Sequence, residues 1–119
     1  MTRLFATLVL VLAGATAAQA ATVYAPQDTT PFEIQQADLV RLTGQGIAGS
    51  AVQAQVQGPA NVSDYDVVVL RNGKPLIGIH RKDFIVRPSG TGKVTVTVTV
   101  TGPQPGSQPQ VTKYEFTVK

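Results

Sequence analysis

The chain has 119 residues, a net charge of +3, 43% hydrophobic residues, no cysteine and a single histidine, His80. This excludes disulfide scaffolds, thiolate metal sites and thiol nucleophiles, and leaves one imidazole for acid–base chemistry. The length suits one domain.

The first segment reads as an export signal. Met1-Thr2-Arg3 is a short positive start, Leu4 to Ala17 is apolar, and Ala18-Gln19-Ala20 supplies the small-x-small pattern of a cleavage site. The apolar run falls short of the ~20 residues a spanning helix needs, so no stable membrane insertion is expected. The sequence predicts cleavage between Ala20 and Ala21, with cleavage after Ala17 as the alternative. Residues 1–20 are then signal, and residues 21–119 form one domain exported to the periplasm or the extracellular space.

That domain reads as strands. Residues 21–119 hold 15 Val, 5 Ile and 11 Thr against 4 Leu, and branching at Cβ favours a pleated surface over a helix. Phe32 and Ile34, then Val40 and Leu42, mark two strands split by Gln36-Ala37-Asp38. Val52, Ala54 and Val56 alternate with Gln53, Gln55 and Gln57, and Phe84 to Val86 form a strand stopped by Pro88. Val94, Val96, Val98 and Val100 alternate with threonines, and Tyr114, Phe116 and Val118 with polar residues. The glycines of Gly44-Gln45-Gly46 and Gly90-Thr91-Gly92 read as turn and bulge positions, since no helix follows to make a phosphate cradle.

The middle of the chain predicts an exposed apolar hairpin. Asn72-Gly73 suits a two-residue turn. Its register pairs Arg71 with Lys74, Leu70 with Pro75 and Val68 with Ile77, and further out Val67 with Gly78 and Tyr65 with His80. One face then holds Tyr65, Val67, Val69, Leu76 and His80. The other holds Val68, Leu70, Pro75, Ile77 and Ile79, an apolar surface open to a partner protein or a second copy, or covered by loops or the N-terminal segment. The last two strands should form a long hairpin joined by Gly102 to Gln110. Pro103, Pro105 and Pro109 forbid regular structure there, so this segment, with Gln104, is either a recognition loop or a solvated connector.

Charge is segregated. Residues 21–70 carry a net −4, and residues 71–93 carry +5 from Arg71, Lys74, Arg81, Lys82, Arg87 and Lys93 against Asp83. The basic block suggests an anionic surface as partner, or neutralisation across the folded domain. Nucleic acid is not expected, because no aromatic residues interleave with the basic ones. His80 has no nucleophile at a diagnostic spacing. Asp64 and Asp66 share one side of a strand but bring too few oxygens for calcium. Asn61-Val62-Ser63 matches a glycosylation acceptor, a tripeptide frequent by chance. No cofactor, metal or catalytic residue is expected.

Leu39 to Ile47, followed by Gly49 to Val56, resembles the second and third strands of early-set immunoglobulin-like domains. Gly90-Thr91-Gly92-Lys93, leading into the alternating valine strand and a closing hairpin, is similar to their last half. The resemblance implies an all-β, immunoglobulin-like sandwich of seven or eight antiparallel strands without a disulfide. The Cys…Trp…Cys core of antibody-type domains is absent. Chagasin-type cysteine-protease inhibitors share the size and sandwich and bind proteases with loops at one end. Their Asn-Pro-Thr-Thr-Gly-Tyr loop is missing, and Arg87-Pro88 is followed by Ser89 instead of an aromatic residue. No inhibitory residue carries over. Small secreted copper proteins start with similar strands, but residues 21–119 lack the Cys and Met those sites use. The expectation is an exported, non-catalytic binding module acting through a protein partner or self-association; the alternative is a secreted inhibitor of chagasin type.

Overall fold

The computed structural model describes residues 21–119, so the expected signal, and Ala20 with it, lies outside the described residues. Ten strands follow in order: β1 (Val23–Tyr24), β2 (Phe32–Ile34), β3 (Leu39–Ile47), β4 (Ala51–Gln57), β5 (Ala60–Val67), β6 (Leu70–Arg71), β7 (Lys74–Pro75), β8 (Ile79–Pro88), β9 (Gly92–Thr101) and β10 (Gln110–Val118). Among the described residues there is no helix, and hence none long and apolar enough to cross a membrane. Eight strands form two four-stranded sheets, ordered β1-β3-β8-β5 and β2-β10-β9-β4, and β6-β7 is a separate ribbon. This is the strand order of an immunoglobulin-like sandwich, with the ribbon inserted between β5 and β8.

The expectation of antiparallel strands needs correcting at two edges. β1 runs parallel to β3, and β2 runs parallel to β10. The chain enters one sheet at β1, crosses over at residues 25–31 to the other at β2, then returns at β3. Parallel neighbours require such a crossover. Buried Asp38 secures the return: its carboxylate accepts N–H bonds from Gln35 at 2.8 Å and Thr22 at 3.2 Å.

The core follows the alternation read from sequence. Val94, Val96 and Val98 of β9, Phe116 and Val118 of β10 and Val52 of β4 face Val40 and Leu42 of β3 and Phe84 and Val86 of β8, all buried. Phe32 stacks on Phe116 with centroids 5.3 Å apart and on Tyr24 at 6.1 Å, closing one flank with aromatic surface.

Gly44 and Gly46 are strand residues, not turn or bulge positions; they pair with Lys82 and His80. They face inward where the sheets approach closely. A Cβ on Gly44 would lie 2.5 Å from Val52, and one on Gly46 2.6 Å from the Ser50 hydroxyl. Only glycine leaves room there.

The hairpin register also needs correcting. Around Asn72-Gly73 the pairs Arg71–Lys74 and Leu70–Pro75 form as expected, and Val69 accepts a 2.8 Å bond from the Leu76 N–H. Beyond them, Val67 pairs with Arg81 and Tyr65 with Asp83, a displacement of three residues. The cause is the core: Phe84 and Val86 must point inward, which sets Val62 opposite Val86. The turn's register would place Val62 opposite Asp83. An odd displacement also exchanges faces. Tyr65, Val67 and Ile79 therefore share the outer face, and His80 lies on the inner one.

Candidate functional site

Three connections meet at one end of the sandwich, each shaped by local turn chemistry. Between β3 and β4 the Ser50 N–H donates to the Ile47 carbonyl at 3.0 Å, with Gly49 at φ +89°. A positive φ at the third position suits a type II turn. Between β5 and β8 stands the β6-β7 ribbon, whose tip has Asn72 at φ +53° and Gly73 at φ +77°, the signature of a type I′ turn. Between β9 and β10 the Gln104 carbonyl accepts from the Ser107 N–H at 3.1 Å and its hydroxyl at 2.7 Å. Pro105 and Gly106, the latter at φ +80°, fill the central positions, again a type II pairing. The long segment is mostly exposed and, free of strand as expected, folds back at this turn.

The three are tied together. The Ala48 N–H donates to the Gly78 carbonyl at 3.1 Å, joining the first turn to the foot of the ribbon. A Cβ on Gly49 would sit 3.1 Å from Pro103, so the third loop rests against the first turn. Between them opens a cleft of about 370 Å³ lined by Gln45, Gly46, Ser50, Val100, Ser107 and Gln110. Its lining is neutral.

His80 clips this end from below. Its Nδ1–H donates to the Ser50 carbonyl at 2.7 Å, and its Nε2 stands 3.3 Å from Asp66 Oδ1. The expected neighbour, Tyr65, lies on the opposite face. With a backbone carbonyl and a carboxylate as partners, the ring holds the turn in place. Among the described residues no group of three or more His, Asp or Glu side chains gathers for a metal ion.

The apolar candidates divide by exposure. Val68, Leu70 and Ile77 are 67%, 60% and 90% exposed, Pro75 is exposed, and Ile79 is half-buried against β3. Ile77 stands out because the chain leaves the ribbon's register after Leu76, and Ile77 and Gly78 form a turn before β8. Ile47, also 60% exposed, adjoins this group through its pairing with Ile79. Sequence reading passed over Ile47, although extending the even-in, odd-out alternation of β3 would have placed it outside. Pro103, Gln104, Pro105 and Pro109 are all exposed on the third loop.

The basic candidates do not act as one block. Arg71 and Lys74 are exposed at the ribbon's tip, Lys82 lies on the inner face of β8, and Arg81 is held by Asp83 with Nε–Oδ1 at 3.2 Å. Asp83, 4% exposed, also accepts from Thr43 Oγ1 at 2.8 Å. Burial pushes its carboxyl up, but the bonds from Thr43 and Arg81 and the charges of Arg81 and Arg41 outweigh this and hold it below the usual value. The other carboxylate pairs, Lys93–Glu115 at 3.7 Å and Lys119–Glu33 at 3.2 Å, lie on the opposite sheet. Among the described residues, none of these ion pairs joins a lysine or arginine of residues 71–93 to a carboxylate of residues 21–70; the two blocks touch through the 3.3 Å His80–Asp66 contact.

No protein-family model matches the chain, and no curated protein matches its sequence. Solved structures do. A cysteine protease inhibitor from Entamoeba histolytica aligns with a TM-score of 0.66 at 12% identity, covering 83% of this chain and 96% of that one. Amebosin aligns with a TM-score of 0.62 at 10% identity, covering 85% of this chain and 100% of that one. The likeness spans the whole sandwich and establishes its fold.

Proposed function

We propose that this chain is an exported inhibitor of cysteine proteases that blocks its target with the three-connection end of the sandwich. The observation carrying this reading is the convergence of an apolar ribbon, a tight turn and a proline-rich loop on one end of a fold shared with a cysteine protease inhibitor. Inhibition by occlusion needs no catalytic group. It needs a rigid wedge with apolar anchors, because preformed loops lose little entropy on binding and a few buried side chains carry most of the energy.

No contact residue carries over from chagasin-type inhibitors. The sequence contains no Asn-Pro-Thr-Thr-Gly-Tyr loop. Arg87-Pro88 lies at the far end of the sandwich, where the Ser89 N–H bonds to the Pro59 carbonyl at 2.9 Å. In this reading Val68, Leu70, Pro75 and Ile77 supply the apolar anchors, Arg71 and Lys74 favour an acidic rim on the target, and Pro103 to Pro109 form the second wall.

Titration of the purified protein against a panel of papain-like proteases tests this. Tight inhibition is expected. Replacing Pro103 to Pro109 by a short Asn-Gly turn, or making Leu70→Ser, should weaken it at least tenfold. If no protease is inhibited, the inhibitor reading fails and a binding module for another protein takes its place. Export is tested separately: the mature protein from a secreting host should begin at Ala21.

A further inference from the structure

The sandwich has two long open edges on one flank, and only one is protected. Among the described residues β5 ends the first sheet and β4 the second, each hydrogen-bonded to a strand on one side alone. An unpaired edge offers N–H and C=O groups to any incoming strand, and charge, proline or a bulge normally blunts it. β5 carries Asp64 and Asp66. β4, Ala51-Val52-Gln53-Ala54-Gln55-Val56-Gln57, has no charge, proline or glycine, and its ladder to β9 runs unbroken from Ala51 to Gln57.

β4 is also its own reverse. Val52-Gln53-Ala54-Gln55-Val56 reads the same from either end. Two copies paired antiparallel about Ala54 would set Val52 of each against Val56 of the other, and Gln53 against Gln55. The valines stay on the inner face and the glutamines on the outer, since this register preserves the pleat. The inner face has use for such a neighbour, because Ala54 and Val56 are only half-buried in a single chain, whereas Val52 is buried.

We infer that two copies of this chain associate through β4, joining their four-stranded sheets into one continuous sheet of eight. The contact is isologous and closes on itself, and the sheet's other edge, β2, is only three residues long, so assembly stops at the dimer. Antiparallel pairing points the two loop ends in opposite directions, leaving both free. The dimer is independent of what those loops bind.

Sedimentation of the purified protein over a concentration series provides the test. A single strand pair is a small contact, so the dimer fraction should rise with concentration. The outward-facing double change Gln53→Lys with Gln55→Lys sets lysine against lysine across the two-fold axis and should raise the dimer dissociation constant at least tenfold. Mixing it with the Gln53→Glu, Gln55→Glu protein should give a heterodimer tighter than either variant alone. Unchanged circular dichroism and thermal midpoints would show that the variants fold. The inference is overturned by a wild type that stays monomeric to its solubility limit, by open-ended larger assemblies, or by a dimer abolished by Ile77→Lys yet untouched by the double lysine change.

Discussion

The two hairpins flanking the loop end obey different masters. In β9–β10 the ladder runs without a break from Gly92–Val118 to Val100–Gln110, and the Gln104–Ser107 turn agrees with it to within one residue. In β5–β8 the Asn72-Gly73 turn and the ladder disagree by three. The difference lies in where core contact ends. Valines at 98 and 100 keep β9 against the opposite sheet almost to its loop, so turn and ladder must fit each other. β5 and β8 leave the core lower down, and the ribbon above them is free to follow its own turn. A turn sets the register of the residues it bonds. Side-chain parity in the core sets the rest.

The largest blow to this contrast should come from the core. Phe84→Ala removes the buried ring that fixes the inward parity of β8, and a cost of about 3–5 kcal/mol is expected in urea unfolding. Next comes Asp83→Asn on the outer face of the same strand. The carboxylate is buried and its bonds to Thr43 and Arg81 are part-buried, so a loss of roughly 1–3 kcal/mol near neutral pH is expected. The sign with pH follows from the lowered carboxyl. Its contribution is complete above the unfolded value of about 3.9 and disappears as pH falls through the lower folded value. Unfolding midpoints for wild type and variant should therefore converge in strong acid.

The regular sheets were legible because period-two patterning is a direct consequence of one buried face. β9 and β10 announced themselves through Val/Thr and Tyr/Phe alternation, and the Asn72-Gly73 tip through its tolerance of positive φ. Three features were not legible, each because it depends on a partner distant in sequence. Gly44 and Gly46 looked like turn residues, since the side chains of Val52 and Ser50 that exclude a Cβ are known only once β3 and β4 lie face to face. The role of Asp38 rests on the Thr22 N–H, 16 residues away. His80 gained its position from the parity of Phe84 and Val86, which the turn register had reversed. At the candidate site, the exposed apolar residues of the ribbon were readable individually. Their meeting with the Ile47–Ser50 turn and the Gln104–Ser107 loop was not.

Gly49→Ala probes the joint between the two hairpins. The position requires φ +89°, which costs a residue bearing a Cβ about 1–2 kcal/mol, and the added atom would press on Pro103 at 3.1 Å. A modest fall in stability is expected. Line broadening or shift changes in NMR spectra should concentrate at residues 47–50 and 102–109 and leave the ribbon's tip unmoved. Equal perturbation of Asn72 and Gly73 would mean that the ribbon is coupled to the loop end more tightly than its own register suggests.

The smallest expected effect on stability is the most informative about function. Ile77 is 90% exposed and lies outside the ladder, so Ile77→Ser removes almost no buried surface and should shift the unfolding free energy by no more than about 0.5 kcal/mol. An exposed isoleucine beside Val68, Leu70 and Ile47 forms a patch that folding alone does not require. If the patch anchors a protease, the same substitution should weaken inhibition severalfold while the melting curve stays in place. If inhibition is unchanged, the displaced register is a by-product of core parity, and the binding energy must come from the proline-rich loop.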